Sequence, residues 1–414
     1  MKIVIIEPDG QGGLFHFAHQ MGEALGAEGN DVTLVTDTEP ELRAARGYTL
    51  APMMRLWKRN QPSDNSNQTT VHKVARLAQR GWRAVRLTAV WWRTVRAVER
   101  MDPDVVILSI MAHRHILRIA ARLAAPNRVF AQLCHEATHV EDRGKEAKRR
   151  RDPLMERFDR IFFLASSVRE DFLARTIFPE TRTTRIPHPR PEFFRETQIG
   201  EAEMRARLGL EADAPVLLFF GNLWPSKGVN DLVDAFAQSR ARENTQLLIA
   251  GRATKNMDMA GLRRQIADHG LVERVIVANR YIDNEEVYPI FRLARAVVLP
   301  YRTAAASGVL HQSFAYARAP IVTRLGGLAE DVRDGETGLI VPPRDPGALA
   351  AAMDRVIDDP ALAERLGQAG HDHSEAHFSW AAVAGTMGRV LAEDVNAKRT
   401  GALTSTDAKR PARA

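Results

Sequence analysis

The chain has 414 residues, a formal net charge of +7 and a pI near 9.7. Apolar residues make up 45% of it, enough for two separate cores, and the single cysteine, Cys134, rules out an internal disulfide and fits a reducing compartment. No run of about 18 apolar residues can span a bilayer, and "MKIVIIEPDG" reads as a strand and turn rather than a signal peptide, so the expected location is the cytoplasm and the excess positive charge favours an anionic partner.

In the first half, "KIVIIE" (2–7), "DVTLVT" (31–36), "DVVILS" (104–109), "RVFAQL" (128–133) and "RIFFLA" (160–165) read as strands. They are continuous apolar runs, which suits parallel strands covered on both faces. Between the first two lies "GQGGLFHFAHQMGEAL" (10–25), a Gly-rich turn that opens a helix. Gly12 and Gly13 would let backbone amides approach a ligand, and a helix start favours an anion. The spacing is not G-x-G-x-x-G, and a plain tight turn accounts for it too.

The stretch "VHKVARLAQRGWRAVRLTAVWWRTVRAVER" (71–100) reads as a basic amphipathic helix. Lys73, Arg76, Arg80, Arg83, Arg86, Arg93, Arg96 and Arg100 gather on one side of a helical wheel. Val74, Leu77, Val85, Thr88, Trp92 and Val95 gather on the other, with Trp82 and Trp91 near the boundary and Glu99 the only acid. That composition suits the headgroup region of an anionic membrane. An ordinary surface helix explains the apolar side but not the lack of acids. A second basic cluster, "RGKEAKRRRD", covers 143–152. No nucleic-acid recognition motif accompanies this charge.

Residues 186–214 hold prolines and no strand pattern, which places a domain junction there. Beyond it, "PVLLFF" (215–220), "QLLIAG" (246–251), "RVIVAN" (274–279), "RAVVLP" (295–300), "APIVTR" (319–324) and "TGLIVP" (337–342) form a second strand set. Helical patterns such as "GVNDLVDAFAQSRA" alternate with them, which gives doubly wound α/β organisation in both halves. In "LLFFGNLWPSKGVNDLVDAF" (217–236) a strand ends in Gly221, and a loop with Asn222, Lys227 and Gly228 leads into a helix. A lysine there can reach a diphosphate as a point charge, although the Walker spacing is absent. In "RTAAASGVLHQSFAYARAP" (302–320) the smallest residues precede a helix start at Ser307, Gly308, Val309 and Leu310, a place for a second anion contact. Gly326, Gly327 and Glu330 follow the next strand.

Three of these motifs, "FFGNLWPSKGVNDLVDAF", "ARAVVLPYRTAAASGVL" and "GGLAEDVRDGETGLIVPPRDPGALAAAM", occur in the order seen in the retaining glycosyltransferases of family 4, and the chain resembles that family over most of residues 1–395. The resemblance implies a GT-B fold, two Rossmann-like doubly wound domains facing a central cleft. An acceptor-binding domain would span 1–190 and a nucleotide-sugar-binding domain 191–378. A helix at 379–395 would return to the first domain, and a disordered tail would span 396–414.

By that resemblance Gly13, beside Gly12, faces the donor phosphates, and Lys227 binds the diphosphate after Gly221. Asn222 stands where the family usually has an arginine. Tyr281 and Ile282 fall where the base is held. Ser307, Gly308, Val309 and Leu310 approach the diphosphate-sugar, and His135 points at the donor sugar. His188 matches a histidine that some members carry at the domain junction. The family's glutamate pair falls on Ala305 and Ser313, neither acidic, which leaves those contacts to Gln312, Ser307 or Glu330. Some branches share the "SGVL" variation, so altered donor contacts are expected rather than lost activity.

The implied activity is hexosyl transfer from a nucleoside-diphosphate sugar to a lipid-linked or glycan acceptor. Lys227 and His135 would act as the catalytic residues, with no metal and no cofactor. Lys73, Arg76, Arg80, Arg83, Arg86 and Arg93 would hold the protein on the inner face of the membrane. The competing readings are a sugar-nucleotide epimerase of the same fold and a degenerate, membrane-bound subunit without catalysis.

Overall fold

The computed structural model describes residues 1–55, 70–110, 114–135, 151–192, 198–303 and 306–402; within the helix that begins at Thr70, the side chains of 70–81 and 83 lie outside the description. The chain divides into two compact units. The first comprises Met1–Phe163, Arg169–Ile186 and the segment from Trp380 onward; the second comprises Leu164–Val168 and Pro187–Ser379.

The first unit runs β1 (Lys2–Ile6), α1 (Gly12–Ala27), β2 (Asp31–Asp37), β3 (Thr49–Met54), α2 (Thr70–Met101), β4 (Val105–Leu108), α3 (Arg114–Ala120), β5 (Val129–Cys134), β6 (Arg160–Phe163), α4 (Ser166–Arg175, whose residues up to Val168 belong to the second unit) and β7 (Thr183–Arg185). Its seven strands lie in the order β3-β2-β1-β4-β5-β6-β7, every pair parallel. The strand order reverses direction between β1 and β4. In an open α/β sheet, the crevice beyond the strand ends at such a reversal is where ligands bind. Ile3 to Ile6, Val105 to Leu108 and Phe162 are fully buried, as strands covered on both faces require. α1 lays Phe15, Ala18, Met21 and Leu25 into this core at helical spacing.

The second unit runs α5 (Glu201–Leu208), β8 (Val216–Phe220), α6 (Val229–Gln238), β9 (Gln246–Ala250), α7 (Met259–Asp268), β10 (Val275–Ala278), α8 (Asn284–Leu293), β11 (Ala294–Leu299), α9 (Gly308–Ala315), β12 (Ala319–Thr323), α10 (Gly326–Asp331), β13 (Leu339–Val341), α11 (Pro346–Asp358) and α12 (Pro360–His377). Its six parallel strands lie in the order β10-β9-β8-β11-β12-β13, with the reversal between β8 and β11. α6 buries Val229, Leu232, Val233 and Phe236 at helical spacing against this sheet. Each such side chain contributes about 1.5–3 kcal/mol of burial.

The final helix, α13 (Trp380–Arg399), packs in the first unit. Arg160 forks onto Asp394 at 2.8 and 2.6 Å. Lys398 Nζ is buried 2.8 Å from Asp159 and donates to the carbonyls of Ala125 and Arg128. The helix therefore passes the end expected at residue 395: Asn396 to Arg399 are helical, and Lys398, expected in a disordered tail, is 7% exposed. The rest of that tail, 403–414, lies outside the described residues.

α2 also departs from the wheel. Its buried side is Trp91, Thr94, Val95 and Val98, so Trp91 is a core residue at 2% exposure and no interfacial anchor. Val85, expected on the packed side, is 69% exposed, and Trp82 is 70% exposed. The Trp92 ring carries the Arg122 guanidinium 3.9 Å from its centroid. Arg86 and Arg93 are exposed, whereas the side chains of Lys73, Arg76, Arg80 and Arg83 and the cluster at 143–150 lie outside the described residues. No helix among the described residues is long and apolar enough to cross a membrane.

Candidate active site

In the second unit, the reversal between β8 and β11 gathers several of the residues singled out in the sequence. Gly221 follows β8 at φ +115°, and a side chain there would come within 3.5 Å of Val309 at the start of α9. Ser307 caps that helix: its hydroxyl accepts from the Leu310 amide, and its carbonyl accepts from Leu310 and His311. The amides of Gly308 and Val309 therefore form the open end of the helix, where its dipole is positive. The Tyr301 hydroxyl lies 3.2 Å from Ser307 Oγ. Lys227 Nζ sits 3.7 Å from the centre of the same tyrosine ring. A cation, a ring and a helix start are thus linked in one chain of contacts.

The loop that carries Lys227 is fixed from two sides. Arg302, which the sequence reading passed over, forks onto Asp231 at 2.7 and 2.5 Å, and its amide donates to Ser226. Asp231 stands in the first turn of α6, so one ion pair ties the Lys227 loop to the Tyr301 loop. Its signal was an acid just inside the helix after the Lys-Gly pair. Gly228 adopts φ +69°, and a Cβ there would lie 1.9 Å from the Pro300 carbonyl oxygen. The loop closes on β11 only because residue 228 is glycine.

Other expected donor contacts sit differently. Asn222 is exposed, Tyr281 half-buried and Ile282 buried in the loop before α8. The carboxylate of Glu330 accepts from the amides of Ser166 and Ser167, and these contacts hold it below the usual carboxylate range against its own burial. Ser313 turns its hydroxyl back to the Leu310 carbonyl at 2.6 Å. Gln312 Oε1 is buried with no hydrogen-bond partner among the described residues. Ala305 lies outside the described residues. His188 stacks on His311, and a side chain on Gly308 would point to within 3.6 Å of His188 Nε2.

In the first unit, Gly13 is exposed and Gly12 has φ +77°. The Gly12 amide donates to Glu41 Oε2 at 3.1 Å, and the same oxygen lies 2.9 Å from His16 Nε2. A side-chain carboxylate therefore already stands at the start of α1. His135 follows β5, and its ring donates to the Ser109 carbonyl while burial pushes its pKa down to about 4. Its Nε2 is shielded and has no partner among the described residues. The imidazole is consequently neutral at ordinary pH, and Nε2 carries its acceptor lone pair.

Two family models match the chain: "Glycosyltransferase Family 4" over residues 11–190 and "Glycosyl transferases group 1" over 214–359. Among curated proteins, the alpha-D-kanosaminyltransferase of Streptomyces kanamyceticus is 27% identical over 236 residues, 56% of this chain and 60% of that protein. The chain thus spans less than two thirds of the length of the curated relatives it matches. Among solved structures, sucrose-phosphate synthase of Thermosynechococcus elongatus superposes with a TM-score of 0.70 at 24% identity, covering 95% of this chain and 99% of that one. HepE of Anabaena, in complex with UDP-glucose, gives 0.68 at 16% identity over 95% and 100%. These likenesses show the fold, two Rossmann-like units of the GT-B type.

Proposed function

We propose that this chain, which belongs to the glycosyltransferases of the family 4 type, moves a hexose-type sugar from a nucleoside-diphosphate donor to a lipid-linked or glycan acceptor, with retention at the anomeric carbon. The observation that carries the reading is the cluster at the β8–β11 reversal: Lys227 over Tyr301, Tyr301 on Ser307, and the helix start of Gly308 and Val309. As the sugar leaves, negative charge grows on the departing diphosphate. A fixed cation and helix-start amides stabilise that charge more than the ground state, which lowers the barrier. The acceptor hydroxyl passes its proton to the departing phosphate oxygen.

The glutamates usual in the family are absent, and the geometry narrows what replaces them. Ser313 and Ser307 use their hydroxyls within α9, and Glu330 is engaged by two amides. Gln312, whose Oε1 has no partner among the described residues, is the remaining candidate for the sugar contact. The complex of HepE with UDP-glucose supports a nucleotide-sugar as the donor class. His135, neutral and with no partner for Nε2 among the described residues, is chemically suited to accept from a sugar hydroxyl. The exposed Trp82, Arg86 and Arg93 on α2 support attachment to an anionic membrane surface.

Incubation with a panel of nucleotide-sugars, with and without membrane extract, tests this reading through nucleotide release. Release that needs the extract is expected. Interconversion of the donor without acceptor would identify an epimerase, and binding without turnover would identify a non-catalytic subunit.

A further inference from the structure

At the starts of β11 and β12, the end of the second-unit sheet opposite the Lys227 cluster, three arginines come together. Ala296 on β11 pairs with Ala319 on β12, so the residues just before them, Arg295 and Arg318, stand side by side. Like charges placed directly opposite in a sheet destabilise it. The backbone around both is specialised. The register of β11 against β8 shifts between Ala294 and Ala296, which makes Arg295 the extra residue of a bulge, a device that re-aims a side chain. Ala317, next to Arg318, holds φ +52°, a left-handed value that is costly for alanine. α12 locks that turn, since a side chain on Gly367 would come within 2.3 Å of the Ala317 carbonyl oxygen. Arg292 stands in the last turn of α8. The ring of Tyr288, one turn earlier on that helix, lies 5.9 Å from the Arg292 Cζ.

The charge of this cluster is not balanced. Elsewhere in the unit, Arg280 forks onto Glu286 and Arg302 onto Asp231. Arg292, Arg295 and Arg318 form no such pair with a carboxylate among the described residues. The carboxylate whose charge reaches Arg318 is that of Glu201, which is exposed and already bonded by Arg205. Burial, and after it the charge of Arg292, holds the Arg318 guanidinium below the usual arginine range. Its Nε is sheltered without a partner among the described residues, and its Nη1 reaches the Ala294 carbonyl only at 3.4 Å. The dipole of α8 accounts for a cation at Arg292. It does not account for two guanidiniums side by side at the strand starts. Arg295 and Arg318 are half-buried and Arg292 is exposed, so the cluster opens on solvent. A guanidinium is a planar fork that matches the oxygens of a phosphate, and an anion held between the three would turn repulsion into shared attraction. The half-buried setting suits a small anion rather than the backbone of a nucleic acid.

We propose that Arg292, Arg295 and Arg318 form a second anion site, which takes a phosphate monoester between the three guanidiniums. Along β11, at about 3.3 Å per residue, Arg295 lies roughly 20 Å from Tyr301 and the Lys227 cluster. The site is therefore separate from the diphosphate site and does not depend on the glycosyltransferase reading. A phosphate there braces the start of β11, the strand whose other end leads into Tyr301.

Calorimetry and thermal unfolding of the full chain in phosphate-free buffer test the site, with inorganic phosphate and glucose 6-phosphate as soluble probes. Vesicles containing phosphatidic acid form a second arm, which separates a lipid headgroup from a free phosphate. At least one probe should bind wild type and raise its melting temperature, with or without saturating UDP. Arg295→Gln and Arg318→Gln should each weaken that binding roughly tenfold or more, as loss of a charged hydrogen-bonding group does. Without any probe, Arg295→Gln should raise the melting temperature, because it relieves the repulsion at the strand starts. A residue kept only for packing would lower it. Should Arg318→Gln fail to fold, Arg292→Gln takes its place. The site is overturned if no probe binds wild type, if the variants leave the binding unchanged, or if UDP displaces it, which would assign the phosphate to the Lys227 cluster. Failure of UDP itself to bind would instead sink the glycosyltransferase reading and leave this site standing.

Discussion

His188 lies flat on His311, their ring centres 4.5 Å apart and their planes within 5°, while His311 Nε2 stands 3.2 Å from Asp331. His311 is fully buried and Asp331 is 3% exposed. The pair thus fixes from beneath the imidazole nearest the start of α9. His311→Phe keeps an aromatic surface for the stack but removes the Nε2 contact to the Asp331 carboxyl. We expect it to cost about 1–3 kcal/mol in urea unfolding. The double variant His311→Phe/Asp331→Leu should recover part of that loss, with a coupling of at least about 0.5 kcal/mol. Additive losses would show that the pair does not act as a unit.

Lys227→Ala should cut turnover by roughly 100-fold, as loss of one stabiliser of transition-state charge does. Donor affinity should change less, and the melting temperature should barely move because Lys227 is only half-buried. Near wild-type turnover would remove Lys227 from the diphosphate site.

Gly228→Ala should be far more damaging to the fold than its size suggests. The methyl would meet the Pro300 carbonyl at 1.9 Å in a left-handed backbone. A loss of more than about 2 kcal/mol is expected, accompanied by weaker nucleotide binding. Unchanged stability would mean that the loop can rearrange.

The buried titratable groups of the first unit predict a stability maximum near pH 6.5. His19 and His135 fall from 6.5 to about 4 on folding, chiefly through burial. Their contribution is present above pH 6.5 and is lost as pH falls toward 4. Burial raises Glu7 from 4.5 to about 8, so its contribution is complete below pH 4.5 and is lost as pH rises to 8. Between pH 6.5 and 8 the Glu7 effect dominates these three, at about 1.4 kcal/mol per pH unit. Unfolding free energies measured across this range should show the decline in wild type and lose it in Glu7→Gln. Parallel curves would place the Glu7 carboxyl in a wetter setting.

The protein should co-sediment with vesicles that contain anionic lipid and release as salt rises. Basic residues near such a surface contribute about 1 kcal/mol each. Replacing Arg86 and Arg93 with Gln should lower partitioning roughly tenfold or more without unfolding. Equal sedimentation with neutral vesicles would show that α2 is an ordinary solvated helix.

All eleven expected strands coincide with β1, β2, β4 to β6 and β8 to β13. Continuous apolar runs are hard to mistake when both faces of a sheet are covered. β3 and β7 were missed because they are edge strands: β3 carries Pro52 and exposed side chains, and β7 is the three residues Thr183–Arg185. Lys227, Gly221 and the start of α9 were legible because glycine and lysine at strand ends have a specific chemistry. The His311–Asp331 and Arg302–Asp231 contacts were not, since each joins positions far apart in sequence. Glu7 and Ser109 were in view as the polar letters that close "KIVIIE" and "DVVILS", but only strand register reveals them as neighbours.

The packing of α13 in the first unit also dictates an order of assembly during translation. All of β8 to β13 is synthesised before Trp380 leaves the ribosome, whereas β1 to β7 must wait for it. Until then Asp159 lacks Lys398 and Arg160 lacks Asp394. Nascent chains stalled so that residues up to Ser379 have emerged but α13 has not should therefore carry a protease-resistant second unit beside a first unit that a chaperone still recognises.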